Sequence, residues 1–199
     1  MAKKGFNNSR SLNTLNKRKL FIIAAEGINT EPQYFDLFSS NDYIVDVKCL
    51  KGKNSAPHEV LKRMTGYLRK SRFRKTDEAW LVVDKDEWTN DQIDVLYMWS
   101  QLSTNYGFAL SNPKFEYWLL LHFEDGHRSP NSNECTRRLN SYLPEYNKNI
   151  KRGTFTREQF QAAIQRAKIH DNPPCPDWHR NTVGTTVYRL VEKILQTTP

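Results

Sequence analysis

Two short apolar runs, each followed at once by an acidic residue, constrain the fold of this chain most. The first, LFIIAA, covers residues 20–25 and precedes Glu26; the second, AWLVV, covers residues 79–83 and precedes Asp84. Apolar runs of this length are typical of strands that are buried on both faces of a parallel sheet. In open α/β sheets, ligands bind beyond the carboxyl ends of such strands.

Strand-like and helix-like segments alternate along the first two thirds of the chain. The other predicted elements are strands at residues 43–50 and 108–110, and helices that begin near Thr30, Pro57, Thr89 and Pro113. Thr30 with Gln33, and Thr89 with Gln92, each match a capping box at a helix start. This order predicts an α/β fold, with a mainly parallel sheet flanked by helices.

The last third of the chain is predicted to be helical. Helices are expected at about residues 133–143, 157–169 and 184–196. A chain of 199 residues is too short for two full-sized domains. We therefore predict three parts: a basic flexible arm at residues 1–19, an α/β core at residues 20–132, and a helical C-terminal part at residues 133–199 that packs on the same domain.

Basic and acidic residues are concentrated in separate blocks. The formal net charge is +8, from 30 Lys and Arg against 22 Asp and Glu. Residues 48–75 carry ten basic residues and one acidic residue, whereas residues 76–150 carry twelve acidic and six basic residues. This distribution suits a protein whose carboxylates hold cations while flanking Lys and Arg hold phosphates. A solvated surface with a basic arm is the alternative.

Three acidic residues are predicted to converge at the carboxyl edge of the sheet. If the first and third strands are neighbours, Glu26 approaches Asp84 and Asp86, which share one side because side chains alternate along a strand. Three such carboxylates would repel one another unless a divalent cation neutralised them, and an all-oxygen set selects Mg²⁺ or Mn²⁺. This site suits phosphoryl transfer or phosphodiester hydrolysis. The alternative is that these acids cap turns or helices.

Four stretches of the sequence match a known pattern. E-G-x-x-T-E-P follows the first strand, and D-K-D-E-W follows the third. These two resemble the signature of the Toprim domain that topoisomerases, primases and OLD-type nucleases share. Two further stretches make the resemblance more specific. They are S-N-P-x-F-E-x-W-L-L-L-H-F at residues 111–123 and N-T-x-G-T-T-V-Y-R-L-V at residues 181–191. Together they closely resemble the RloB-like family of bacterial defence-associated proteins, over nearly the whole chain.

The resemblance implies a function as well as a Toprim-like fold. It implies a Mg²⁺- or Mn²⁺-dependent nuclease in anti-phage defence and abortive infection, with Glu26, Asp84 and Asp86 as the catalytic carboxylates. DNA, RNA and tRNA are the candidate substrates, and the expected partner is an AAA/ABC-type ATPase (RloA-like). A non-catalytic nucleic-acid-binding sensor or adaptor of a defence complex is the main alternative. Phosphoryl transfer to a small molecule is a third hypothesis, which the basic blocks disfavour.

Two more acidic residues are assigned to the predicted site. Glu87 follows Asp86 directly and is predicted to be a further metal ligand. Glu116 lies just inside the helix that follows the fourth strand, so it could reach the same edge as a further ligand or a proton-transfer group. An acid that only stabilises the helix dipole is the equal alternative for Glu116.

A basic helix predicted at residues 57–73 forms, with basic residues on either side of it, the predicted nucleic-acid-binding surface. The residues assigned to it are Lys53, Lys62, Arg63, Arg69, Lys70, Arg72, Arg74 and Lys75. They could follow a phosphate backbone while the interleaved Tyr67 or Phe73 stacks on a base. A solvated helix face is the equal alternative.

Several classes of protein are excluded by composition. No apolar run reaches the length of a membrane span, and no signal peptide is recognised. The three cysteines, Cys49, Cys135 and Cys175, are far apart and form no C-x-x-C pair. A disulfide framework is therefore not expected, and a cytoplasmic setting is predicted. Oligomer formation is left open.

Overall fold

A computed structural model describes residues 18–197 except 41, 53, 55, 86–87, 128–130 and 176–181. In these residues the chain forms five strands and seven α-helices. In chain order they are β1 (Lys19–Ala25), α1 (Thr30–Asp36), β2 (Val45–Cys49), α2 (Pro57–Lys70), β3 (Glu78–Asp84), α3 (Asn90–Ser100), β4 (Tyr106–Asn112), α4 (Phe115–Leu120), α5 (Ser132–Tyr142), α6 (Arg157–His170), β5 (Gly184–Thr185) and α7 (Val187–Gln196). A short 3₁₀ helix, Leu37–Ser39, follows α1.

The strands form one sheet in the order β2-β1-β3-β4-β5. The first four strands run parallel to one another, and β5 pairs antiparallel with the end of β4. The predicted α/β class is confirmed, and the arrangement is consistent with a Toprim-like fold. Strands β1 and β3 are adjacent, as the predicted approach of Glu26 to Asp84 requires.

Helices cover both faces of this sheet. Along β1, Phe21 and Ile23 enter one apolar cluster, whereas Ile22 and Ala24 enter another. Helices α2 and α3 pack over the second cluster, and α1 and α4 to α7 pack over the first. Burial on both faces explains why the strand sequences are continuously apolar and do not alternate.

The C-terminal helices share a core with the preceding part of the chain. Leu139 of α5, Ile164 of α6 and Leu190 of α7 belong to the same buried cluster as Trp118 of α4. No separate apolar core divides the residues before position 132 from those after it in the described part of the chain. Residues 1–17 of the predicted arm lie outside the described residues, and Lys19 is already the first residue of β1.

The prediction of one helix at residues 184–196 is wrong at its start. Gly184 and Thr185 form β5, and α7 begins only at Val187. The Thr186 N–H donates to the Leu110 carbonyl at 2.9 Å, and the Leu110 N–H donates to Thr186 Oγ1 at 3.0 Å. Pairing with β4 satisfies these backbone groups, so the tertiary contact overrides the local helical pattern.

The capping box predicted at Thr30 is also wrong. Thr30 is the first residue of α1 itself, and no side-chain hydrogen bond caps that helix at Asn29. The hydroxyls of Thr30 and Tyr146 lie 3.3 Å apart, and Gln33 Oε1 accepts the Ile150 N–H at 2.7 Å. Both side chains are therefore used to bind the loop between α5 and α6.

The capping box at the start of α3 is confirmed. Thr89 Oγ1 accepts the Gln92 N–H at 3.4 Å, and Gln92 Oε1 accepts the Thr89 N–H at 3.0 Å. We expect Thr89→Ala to lower the free energy of unfolding by about 1 kcal/mol, because a helix N–H loses its partner. Urea denaturation measures this loss. Thr156→Ala, in the equivalent box of α6, is the matched variant and should cost a similar amount. An unchanged midpoint for Thr89→Ala would contradict the expectation.

Candidate functional site

Glu26 and Asp84 lie side by side at the carboxyl edge of the sheet, as the sequence predicts. The register pairs Ala25 of β1 with Val82 of β3, and the Glu26 N–H donates to the Val82 carbonyl at 2.9 Å. Asp84 is the last residue of β3, and its backbone N–H donates to Glu26 Oε2 at 3.0 Å. Strand pairing therefore sets the relative position of these two residues.

A second hydrogen bond fixes the orientation of the Glu26 carboxylate. Its Oε1 atom accepts the indole N–H of Trp88 at 3.0 Å. Trp88 directly precedes Thr89, whose capping box begins α3. The start of this helix therefore helps to hold Glu26 at the sheet edge.

Asp86 and Glu87, the other two predicted metal ligands, lie outside the described residues. Within the described ranges, no three side chains of His, Cys, Asp or Glu are grouped closely enough to hold a metal ion. Glu26 and Asp84 are thus the predicted ligands that the described part of the chain brings together.

A pocket of about 430 Å³ opens beside Glu26 and Asp84. This volume is in the range of sites that bind small molecules or single nucleotide units. Two further carboxylates line it, that of Glu116, which was predicted, and that of Glu31, which was not. The remaining lining residues are Gly27, Ile28, Asn29, Thr30, Phe115 and Lys148. Four carboxylates and one lysine therefore face one cavity.

Glu31 is almost fully buried in the first turn of α1, with 5% of its surface exposed. The Gly27 N–H donates to its Oε1 atom at 3.0 Å. A Cβ atom at position 27 would lie 1.9 Å from Glu31 Oε2, so any larger residue there would displace the Glu31 carboxylate from this position. Burial raises the pKa of Glu31 to about 7, and the carboxylates of Glu116 and Glu26 contribute to the rise.

Sequence reasoning missed Glu31 as a site residue. An acid in the first turn of a helix is common because it stabilises the helix dipole, so its position alone does not indicate a pocket. The available signal was its place five residues after Glu26 within E-G-x-x-T-E-P. The glycine of that stretch, which makes room for Glu31, was the second part of the signal.

Glu116 is held by a loop that is distant in sequence. The Tyr146 hydroxyl donates to Glu116 Oε1 at 3.1 Å, and all of Glu116, Tyr146 and Thr30 are buried. Because the single hydroxyl proton of Tyr146 goes to Glu116, the Thr30 hydroxyl is the donor in its contact with Tyr146. Burial raises the pKa of Tyr146, so this residue remains a hydrogen-bond donor.

Lys148 is the basic residue of the pocket lining. It lies between two anchors of the loop, Tyr146 and Ile150, which bind α4 and α1. Asn147 and Lys148 have positive φ angles of 27° and 57°, so the backbone turns sharply here. No pattern in the sequence pointed to Tyr146 or Lys148, since their contacts are made with residues that are distant in the chain.

The predicted nucleic-acid-binding residues divide into two groups. The Arg63 guanidinium donates to the carbonyls of Ala25 and Asn54, and Arg74 forms an ion pair with buried Asp77 at 2.6 Å. These two arginines support the fold. The exposed residues are Lys62, Arg69, Lys70, Arg72 and Lys75. Lys53 lies outside the described residues.

Comparison with known proteins gives one match. A family model described as RloB-like protein matches residues 21–194, which is most of the chain and includes Glu26, Asp84 and Glu116. No curated protein and no solved structure matches significantly. Among the helices of the described residues, none combines the length and the apolar character that crossing a bilayer requires. On the strength of the match over residues 21–194, the chain belongs to the RloB-like protein family.

Proposed function

We propose that this chain is a divalent-metal-dependent nuclease that hydrolyses phosphodiester bonds of DNA or RNA, including tRNA, in bacterial anti-phage defence. It acts in the cytoplasm beside an AAA/ABC-type ATPase (RloA-like). One observation carries the proposal: Glu26 and Asp84 are paired at adjacent strand ends, beside a pocket that two more carboxylates line. Membership of the RloB-like family supports it.

The donor atoms at this edge fit Mg²⁺ or Mn²⁺. Glu26 and Asp84 offer carboxylate oxygens, which hard divalent cations prefer. Asp86 and Glu87 follow Asp84 in the chain and add ligands of the same chemistry. In the proposal, Glu26, Asp84 and Asp86 hold the cation, and Glu87 is a further ligand. When bound, the cation supplies an activated water and charge stabilisation at the leaving oxygen.

Glu31 is the candidate for proton transfer. In the metal-free protein burial raises the pKa of Glu31 to about 7, and a raised pKa favours the protonated carboxyl group that a general acid needs. It lines the same pocket as Glu26 and Asp84. We assign to Glu31 the proton that the leaving oxygen takes up.

Glu116 is proposed to act by positioning. Its bond to Tyr146 ties α4 to the loop that carries Lys148, so it fixes one wall of the pocket. In the proposal, the ammonium group of Lys148, which lines the cavity, binds a phosphate oxygen of the substrate. The pocket thus combines carboxylates that can bind a metal cation with a lysine that can bind the phosphate of the substrate.

We expect Lys148→Met to raise the KM for nucleic acid roughly tenfold while kcat changes little, because a phosphate contact is lost in both the ground state and the transition state. Steady-state cleavage kinetics measures both constants. Lys151→Met is the matched control, since Lys151 belongs to the same loop, is exposed and does not line the pocket. An unchanged KM for Lys148→Met, or an equal effect of Lys151→Met, would contradict the role of Lys148.

A cleavage assay tests the proposed function. Purified chain is incubated with labelled DNA, RNA and tRNA and with Mg²⁺ or Mn²⁺, alone and together with its partner ATPase. We expect cleavage that chelation stops and that Glu26→Gln abolishes. Absence of cleavage under every condition would favour the adaptor alternative. In a phage-protection assay, an adaptor would keep its function after Glu26→Gln, whereas a nuclease would lose it.

A further inference from the structure

Helix α2 connects the pocket edge of the sheet with the opposite edge. It follows β2 and precedes β3, so it runs antiparallel to the strands it covers. Arg63, in its first half, donates to the carbonyl of Ala25, the residue before Glu26. The 14 residues of α2 span a length of about 20 Å. The N-terminal half of the helix therefore lies on the side of the sheet edge that carries Glu26, and the C-terminal end points toward the opposite edge, at the other end of a helix about 20 Å long.

The exposed face of α2 carries basic residues in both halves of the helix. Lys62 lies in the half near the pocket, and Arg69 and Lys70 lie at the far end. Exposed Arg72 and Lys75 continue the series in the segment that leads to β3. The one acidic residue of positions 57–75 is Glu59, which contacts Lys62 at 3.2 Å. The face therefore attracts an extended polyanion.

Gly66 occupies the middle of this face, four residues after Lys62 and three before Arg69. Residues at these spacings are neighbours on a helix surface. A Cβ atom at position 66 would meet nothing within 4 Å, so no contact in the described part of the chain requires a glycine there. Glycine destabilises a helix interior relative to alanine. Close packing of a bound partner against the helix at this position would explain why the residue is glycine.

The aromatic residues in α2 and in the segment after it indicate which part of a nucleic acid binds. Tyr67 and Phe73 are half-buried and pack against the core, and Lys48 lies over the Tyr67 ring at 4.7 Å. The sequence suggested that nucleic-acid bases stack on these two rings. Their packing against the core does not support that hypothesis. Basic side chains that flank a half-buried glycine with open space above it can contact the phosphate backbone, which carries no sequence information.

We propose that the α2 face binds the phosphate backbone of the nucleic-acid substrate, with the backbone packed over Gly66 and the strand leading away from the carboxylate pocket. The substrate then extends about 20 Å, or about six nucleotides, beyond the position of cleavage. Only the link to cleavage rests on the proposed function. Binding to this face does not require a metal ion, so it can be measured separately.

The first test measures binding in the presence of a chelator, by fluorescence anisotropy of labelled RNA and DNA of about 4 and about 20 nucleotides. Replacing Arg69, Lys70 and Arg72 together by Gln should weaken binding of the long oligonucleotides at least about tenfold and reduce the slope of log K against log salt by about 2. The short oligonucleotides should bind weakly to both proteins. Lys151, Arg152 and Arg157, replaced together by Gln, are the matched control, because they are exposed and lie on the other side of the sheet.

Two results of this test would overturn the proposal. One is wild-type affinity of the Arg69/Lys70/Arg72 variant for the long oligonucleotides. The other is competition by polyglutamate as strong as that by an oligonucleotide of equal charge, which would assign the face to an acidic protein partner. Loss of cleavage in Glu26→Gln with binding retained would leave both this proposal and the proposed function intact.

The second test uses Gly66, where a variant should fold at least as well as the wild type. Gly66→Ala should raise the melting temperature by about 1–4 °C, because alanine favours the helix. Gly66→Gln, which has a longer side chain in the same open space, should bind the long oligonucleotides at least about fivefold more weakly than Gly66→Ala. Equal affinities of wild type, Gly66→Ala and Gly66→Gln would show that no backbone packs here and would overturn the proposal.

Discussion

Asp84→Asn is expected to abolish metal-dependent cleavage of nucleic acid, with a loss in rate of about 10²- to 10³-fold or more. Asp84 ends β3, and it is its backbone N–H, rather than its side chain, that binds Glu26. Asparagine keeps this N–H and nearly the same shape, so Glu26 should stay in place. The substitution therefore removes one negative charge and one oxygen ligand and keeps the backbone hydrogen bond to Glu26.

The measurement is single-turnover cleavage at several Mg²⁺ concentrations, with thermal melting as the check on folding. Asp46→Asn is the matched control, since Asp46 is an exposed acid of β2 that does not line the pocket. It should cleave at the wild-type rate. Wild-type activity of Asp84→Asn would place the reaction elsewhere in the molecule.

Glu31→Gln is expected to stabilise the metal-free protein at alkaline pH by about 3 kcal/mol. In the folded chain burial raises the pKa of Glu31 from 4.5 to about 7. Between these values the unfolded chain has lost the proton that the folded chain keeps, so the free energy of unfolding falls as pH rises through this window. Glutamine stays neutral and can still accept the Gly27 N–H, so the variant avoids this loss.

Urea denaturation in a chelating buffer measures the effect. Near pH 4.5 the wild type and Glu31→Gln should have similar free energies of unfolding. The difference between these free energies should grow until about pH 7 and then stay constant. Adding Mg²⁺ should reduce the difference in free energy of unfolding between the two proteins, because a cation beside Glu26 and Asp84 offsets the charge on Glu31. Glu145→Gln is the control, since Glu145 has 92% of its side chain exposed. Parallel pH profiles for wild type and Glu31→Gln would contradict the raised pKa.

The sheet and its acidic edge could be predicted because they follow from local patterns and from strand pairing. Each buried strand is a continuous apolar run, and parallel strands must bring their carboxyl ends together. Glu26 and Asp84 are therefore adjacent as soon as β1 and β3 pair. Glu116 reaches the same pocket because α4 begins three residues after β4 ends.

The rest of the pocket could not be predicted, because it depends on polar contacts between distant segments. Thr30 and Gln33 have the residue types of a capping box, yet both bind the loop that contains Tyr146 and Ile150. A local pattern cannot show which of two hydrogen-bond partners a side chain will choose. The same limit applies to Gly184 and Thr185, whose strand exists only beside β4.

The basic helix illustrates a different limit. Its charges were visible in the sequence, but their direction relative to the carboxylates was not. The fold shows that Arg63 and Arg74 are engaged by internal carbonyl and carboxylate groups, so counting positive charges overstates the binding surface.

The loop that carries Lys148, which Tyr146 and Ile150 anchor, also determines when the pocket is complete. Its hydrogen bonds join residues that are 116 and 117 positions apart in the chain. Contacts of such high sequence separation cost more loop-closure entropy than local contacts do, so we expect them to form after the local helices and neighbouring strands. A nascent chain that has been synthesised only through α4 holds Glu26, Glu31, Asp84 and Glu116 but lacks Tyr146 and Lys148. Completion of the pocket is therefore delayed until the loop after α5 has been made and has docked.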